Sequence, residues 1–254
     1  MTFLPRHRSH DYAWLMAQWR RVAKAARMEM SELANVGGQP VHQVISRSAR
    51  CGEPVVYVSA GVHGDEPAAV CGLLAWAMEN AVLLREGGFV ILPCMNPHGL
   101  MLNTRVDHRG RDLNRRFQLK RDPLIGAWHR LVGPYRMSVA LCLHEDYDAE
   151  GFYLYEVDRR RQSVGQKILD ACEGGVIGRD PRSMIDGMRA NRAVIRKKKV
   201  PEDLPGLPEA IVLHQFGCPL SLTFETPSEF GLNDRAETHA RFIQAALDAT
   251  GIPS

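Results

Sequence analysis

Four short stretches of this 254-residue chain concentrate side chains able to do chemistry. The first is Gly61-Val62-His63-Gly64-Asp65-Glu66. Its glycines permit a tight turn, and a spacing of three lets the His63 imidazole and the Glu66 carboxylate converge on one point. Those donor types suit a catalytic zinc site, where three protein ligands leave one position open. The alternative is structural: His63 caps a helix and Glu66 sits in its first turn, where negative charge is favourable. The second stretch runs from Asn96-Pro97-His98-Gly99 through Asn103-Thr104-Arg105 to Gly110-Arg111-Asp112-Leu113-Asn114-Arg115. Arg105, Asn114 and Arg115 bracket a loop suited to a small anion. An arginine fork matches a carboxylate in two parallel bonds, each contributing on the order of 1.5–3 kcal/mol. Arg109, Arg111 and Arg116 read equally as a solvated basic loop. In the third stretch, Leu143-His144-Glu145-Asp146, His144 is either a core histidine or a further metal ligand. The fourth, Leu222-Thr223-Phe224-Glu225, ends an apolar run on an acid. Burial there raises a carboxyl's pKa toward what a general base needs near neutrality. A paired structural acid is the plainer reading.

Each stretch follows an apolar run that reads as a strand: Val55 to Ala60, Phe89 to Pro93, Met137 to Leu143 and Pro219 to Phe224. Phe152 to Val157 is a further strand, and Val41 to Arg47 alternates like a half-exposed one. Helices are expected from Ser9, as cap, to about Arg27, then over Ala68 to Leu84, Ser163 to Cys172 and Asn233 to Ala249. Continuous apolar strands alternating with helices favour an α/β sheet covered on both faces, with ligands beyond the carboxyl ends of the strands. The stretches Met28–Asn35 and His214–Cys218 carry no legible signal, and neither does the long region from Gly174 to Gly217.

Composition is that of an ordinary globular chain: 45% hydrophobic, 24% charged, net charge +3. This excludes disordered, collagenous and coiled-coil classes and demands no polyanionic partner. The longest apolar run, Ala68 to Met78, is too short for a membrane span. No secretory signal is visible at the start. Six scattered cysteines without a CxxC pair read as reduced, mostly buried thiols of a cytoplasmic protein. The basic runs Arg159-Arg160-Arg161 and Arg196-Lys197-Lys198-Lys199 lack interleaved aromatics and read as solvated faces rather than nucleic-acid contacts. No Gly-x-Ser-x-Gly elbow or recognisable cysteine nucleophile is present.

Taken in order, the four stretches resemble the carboxypeptidase-A-like zinc metallocarboxypeptidases, which share their fold with the succinylglutamate desuccinylase/aspartoacylase enzymes. The resemblance spans about Val55 to Pro227. It implies a single zinc-carboxypeptidase-like catalytic domain over 1–254, with 1–50 as an N-terminal helix and edge-strand extension. The implied architecture is a mixed, largely parallel twisted sheet with helices on both faces. It further implies one zinc ion on His63, Glu66 and His144, with Asp112 hydrogen-bonding the first histidine. Asn114 and Arg115 would bind a substrate carboxylate, Arg105 would polarise the scissile carbonyl, and Glu225 would be the catalytic glutamate. The family's substrate-binding tyrosine has no counterpart before Glu225, since no tyrosine follows Tyr155; Tyr147, Tyr153 and Tyr155 lie close to His144 instead. The loops at Asn96 and Gly110 look more like the peptidase branch, and the small murein-peptide amidases in particular. The implied substrate is a small peptide cleaved beside a carboxylate-bearing residue, the alternative an N-acyl amino acid. Asp146 either meets a substrate amino group or is a surface acid. A zinc- or ligand-binding domain without chemistry is the non-enzymatic rival. The sequence does not speak to oligomeric state.

Overall fold

The computed structural model describes residues 8–158, 163–197 and 206–252, apart from the side chains of Arg50 and Cys51. Helix α1 (Tyr12–Ala25) is capped by Asp11, whose carboxylate accepts the Trp14 N–H. Ser9, the expected cap, lies too far ahead: helical backbone begins at Tyr12, and only the residue just before it reaches the first free N–H groups. Strands β1 (Glu29–Val36) and β2 (Gln39–Ile45) pair antiparallel across Gly37-Gly38, both at left-handed φ as such a tight hairpin requires. Strand β3 (Val55–Ser59) is buried at every residue. The apolar stretch expected as one helix is two, α2 (Pro67–Glu79) and α3 (Ala81–Glu86). Asn80 breaks it, with non-helical φ −112° and ψ 33° and its side-chain amide donated to the Trp76 carbonyl.

Strand β4 (Phe89–Leu92) leads to α4 (Pro97–Leu102) and α5 (Pro123–Val132), then to β5 (Met137–Asp146), β6 (Tyr153–Asp158) and α6 (Gly165–Cys172). The region without sequence signal holds a small hairpin of β7 (Met184–Ile185) and β8 (Met188–Arg189), then β9 (Val194–Lys197) and α7 (Glu209–Gln215). Strand β10 (Leu220–Pro227) and α8 (Leu232–Thr250) follow. The main sheet runs β1-β2-β4-β3-β5-β10-β6-β9. Pairs β3/β4, β3/β5, β5/β10 and β6/β9 are parallel, and β1/β2, β2/β4 and β6/β10 antiparallel. The mixed, largely parallel α/β sheet expected from the motifs is present, with helices on both faces.

One core layer joins α1, α2, α6 and α8 to the sheet, and the other joins α5 and α7. Along β5, Leu141 and Leu143 enter the first layer while Ala140 and Cys142 enter the second. Alternation therefore turns His144 to the second side and Glu145 to the first. Helices α2 and α8 press together at Gly72, where a Cβ would come within 2.5 Å of the Ala236 carbonyl oxygen. Cys71, Cys94, Cys142, Cys172 and Cys218 are free and buried, and the Cys51 side chain lies outside the described residues. No described helix is long and apolar enough to cross a membrane. Of the basic runs, Arg159, Arg160, Arg161, Lys198 and Lys199 lie outside the described residues, whereas Arg196 sits near Glu156 and Asp158 at 3.9 and 3.8 Å.

Candidate metal centre

The central parallel strands β3, β5 and β10 bring their carboxyl ends together. After β3 the chain turns at Gly61 (φ 64°) and lays Gly64 on α4. A Cβ at Gly64 would stand 1.9 Å from the Gly99 carbonyl carbon, so only glycine allows this approach. The turn carries His63, and Glu66 follows as the residue before α2, with Pro67 opening the helix. His63 Nδ1 lies 2.6 Å from Glu66 Oε1, and His144 Nδ1 lies 2.8 Å from Glu66 Oε2. One ligand atom from each of the three residues falls within 4.8 Å of the others, and all three side chains are buried. The reading of His63 as a helix cap is set aside by this geometry.

The donor set fits a divalent ion. Two imidazoles and a carboxylate converge by the atoms left free for coordination, and His63 Nε2 is engaged by Asp112 Oδ1 at 3.0 Å. A carboxylate accepting the far N–H fixes the ring's tautomer and leaves the Nδ1 lone pair for metal. Burial pulls the His63 pKa down, but Glu66 and Asp112 outweigh it and hold the group at about 9. The same balance raises His144, again through Glu66. Burial alone would push the Glu66 carboxyl up, yet the two histidines bring it well below the usual carboxylate range.

Arg105 is exposed and bonds Asp112 Oδ2 through Nε and Nη2, at 3.3 and 3.2 Å, which leaves Nη1 3.6 Å from Glu66 Oε1. Asp112 thus aligns His63 and Arg105 together. Glu225 stands beside His144 in the β5/β10 register and beside Tyr153 in the β6/β10 register. Burial drives its carboxyl well above the usual range, helped by Glu66, Asp146 and Asp186 and opposed by His144. Asn114 accepts the Glu209 backbone N–H at its Oδ1 at 3.0 Å, so its amide N–H₂ is the end left free. Burial alone would raise the Asp112 carboxyl, but His63 first, then Arg105 and the exposed Arg115, hold it well below the usual range.

Arg111 is not a solvated charge, as the sequence had allowed: it bonds buried Asp107 at 2.7 Å and lies 3.0 Å from Asp122. Asp146 accepts the Tyr153 hydroxyl at 3.0 Å, and Tyr155 donates to Asp186 at the tip of the β7–β8 hairpin. Tyr147 is 74% exposed. Two further buried acids without a role in the sequence reading stand close to the site. Glu145 takes the Ala68 N–H and pairs with Arg235. Glu209 accepts hydroxyls from Tyr57 and Ser59. Glu145 was findable from strand alternation beside His144, whereas Glu209 lies in the region without periodicity.

Comparison with solved structures gives the same architecture. A candidate metallopeptidase from Shewanella denitrificans OS217 superposes with a TM-score of 0.84 at 20% identity, over 96% of this chain and 92% of that one. The metallo-carboxypeptidase from Burkholderia cenocepacia gives 0.70 at 19%, over 94% and 69%. Carboxypeptidase A from Helicoverpa armigera gives 0.65 at 16%, over 97% and 75%. The chain has the metallocarboxypeptidase fold. The model of the succinylglutamate desuccinylase/aspartoacylase catalytic domain matches residues 53–150, which include the three buried ligand candidates of this carboxypeptidase-like fold. Fold and family match agree with the superfamily that the ordered motifs resemble. No curated protein matches by sequence.

Proposed function

We propose that this protein is a zinc-dependent hydrolase that cleaves an amide bond next to a carboxylate-bearing residue of a small peptide. The observation that carries this reading is the convergence of His63, Glu66 and His144, with Glu225 on the adjacent strand beside His144. A zinc ion held by the three ligands supplies a polarised carbonyl and an acidified water. The Glu225 carboxylate takes the proton of the attacking water and returns it to the leaving amine. Arg105, aligned by Asp112, presents positive charge where the carbonyl oxygen becomes anionic, the position at which fixed charge helps most. Asn114 offers its N–H₂ and Arg115 its fork to the substrate carboxylate, which selects the bond to be cut. Residues 1–254 would act as one catalytic domain, with α1, β1 and β2 as an extension along one sheet edge.

An N-acyl-amino-acid deacylase is the second reading, favoured by the match over residues 53–150. The test is metal analysis of the purified protein joined to a screen of dipeptides, murein-type peptides and N-acyl amino acids. Release of an amino acid from peptides, abolished by a chelator and restored by zinc, is expected. Turnover of acyl amino acids alone would move the assignment to the deacylase, and turnover unaffected by metal removal would overturn both.

A further inference from the structure

Helix α2 begins without a cap of its own. Glu66, the residue that would ordinarily fold its side chain over the first N–H groups, turns its carboxylate to His63 and His144 instead. Pro67 has no N–H to satisfy. The next donor, the Ala68 N–H, is taken by Glu145 Oε1 at 2.6 Å, from the end of β5. The other oxygen of Glu145 accepts from Arg235 on α8. The Glu145 side chain is wholly buried and that of Arg235 is 12% exposed. The same helix makes a second polar contact behind the site, where buried His239 meets Thr226 Oγ1 at 3.0 Å.

Strand alternation gives this arrangement its meaning. His144 and Glu225 face the cleft, so their neighbours Glu145 and Thr226 face α8. Helix α8 therefore braces, from the rear of the sheet, the segments that carry Glu66, His144 and Glu225. We infer that Glu145, pinned by Arg235, is a positioning residue of the metal centre: it locks the start of α2, and with it Glu66, to the end of β5, and with it His144. The inference rests on reading His63, Glu66 and His144 as metal ligands. An apolar pair would fill this space at least as well, because a buried ion pair brings little net stability. No apolar pair could satisfy the Ala68 N–H and fix the offset of helix and strand.

The test compares the full-length wild type with E145L, E145Q, R235K and L169A. Leu169 is a buried residue of α6 and serves as a control for general loss of stability. Zinc affinity is measured by competition with a chromophoric chelator, and the ligand field by the visible spectrum of the Co(II) form. E145L is expected to weaken zinc binding at least tenfold and to shift the Co(II) bands. E145Q, which keeps an acceptor for the Ala68 N–H, should stay within about threefold of wild type. R235K, which keeps the charge without the fork, should bind about threefold more weakly with a smaller spectral shift. L169A should change neither readout. Wild-type affinity and bands in E145L, or an equal loss in L169A, would overturn the inference. If E145L does not fold, R235K against L169A decides in the same way. A wild type that binds no zinc would instead overturn the ligand assignment itself, and the two failures are thereby distinguished.

Discussion

Glu225 makes no hydrogen bond among the described residues, although it stands beside His144 with its carboxyl raised by burial. In the proposed reading this carboxylate takes the proton of the attacking water and passes it on, whereas Glu145 and Glu209 are engaged in hydrogen bonds. Replacing Glu225 by Gln should leave zinc content unchanged and lower kcat by about 10²–10⁴-fold, since positioned general-base catalysis supplies roughly that much. Steady-state kinetics on enzyme of confirmed metal content checks this. For Arg115 it is the planar shape of the head group that matters. Arg115→Lys should raise KM about tenfold for substrates with a free carboxylate, the loss of one charge-assisted bond. Carboxamide-capped substrates should show no change, and equal shifts for both would remove Arg115 from carboxylate recognition.

At the scale of elements, the loop between β3 and α2 carries the tightest constraint. Gly64 packs against Gly99 backbone on α4, with no flexible side chain to give way. Gly64→Ala should therefore cost about 3 kcal/mol, the upper range for overpacking, and weaken metal binding; urea unfolding and zinc titration measure the two effects. Elsewhere, Asp180 organises the turn that lies against β6. Burial alone would raise its carboxyl, but Arg182 and the N–H groups of Arg182 and Glu150 hold it below the usual value. A depressed native pKa contributes stability above the unfolded value near 3.9 and loses it as pH falls through the native one. Asp180→Asn should lower stability at neutral pH and flatten its decline below about pH 4, as unfolding at a series of pH values would show. These elements differ in how far they can be read from the chain. The candidate metal ligands, the proposed roles of Asp112 and Arg105, and the central strands are legible because chemistry and full burial each demand narrow residue types. Strand β1 is not, because its residues are exposed or half-buried and leave no apolar run. The break at Asn80 is hidden for the opposite reason: α2 is buried from Pro67 to Ala77, so no periodicity marks its end.

For the molecule as a whole, the proposed metal centre joins two distant parts of the chain, the loop with His63 and Glu66 and the end of β5 with His144, so its occupancy is linked to global stability. A ligand that binds only the folded state at a thousand times its Kd adds about 4 kcal/mol. Removing zinc with a chelator should then lower Tm by roughly 10 °C at this chain length. Differential scanning calorimetry with and without chelator measures it, and an unchanged Tm in a chain shown to bind zinc would mean that the unfolded state holds the ion as well. The rear brace of α8 belongs to the same scale, since it couples the last helix to the first motif.

The buried thiols lend themselves to a use of their own. Burial raises Cys71, Cys94 and Cys172 to about 12, and such groups are scarcely ionised at neutral pH and inert to alkylating reagents while the chain stays closed. Cys94 lies behind Gly61, Cys71 is in the helix that Glu66 introduces, and Cys172 is at the far end of α6. They amount to native reporters at separate places in the layer beneath α1, α2, α6 and α8, and the order in which a maleimide tags them would chart which part of that layer breathes first.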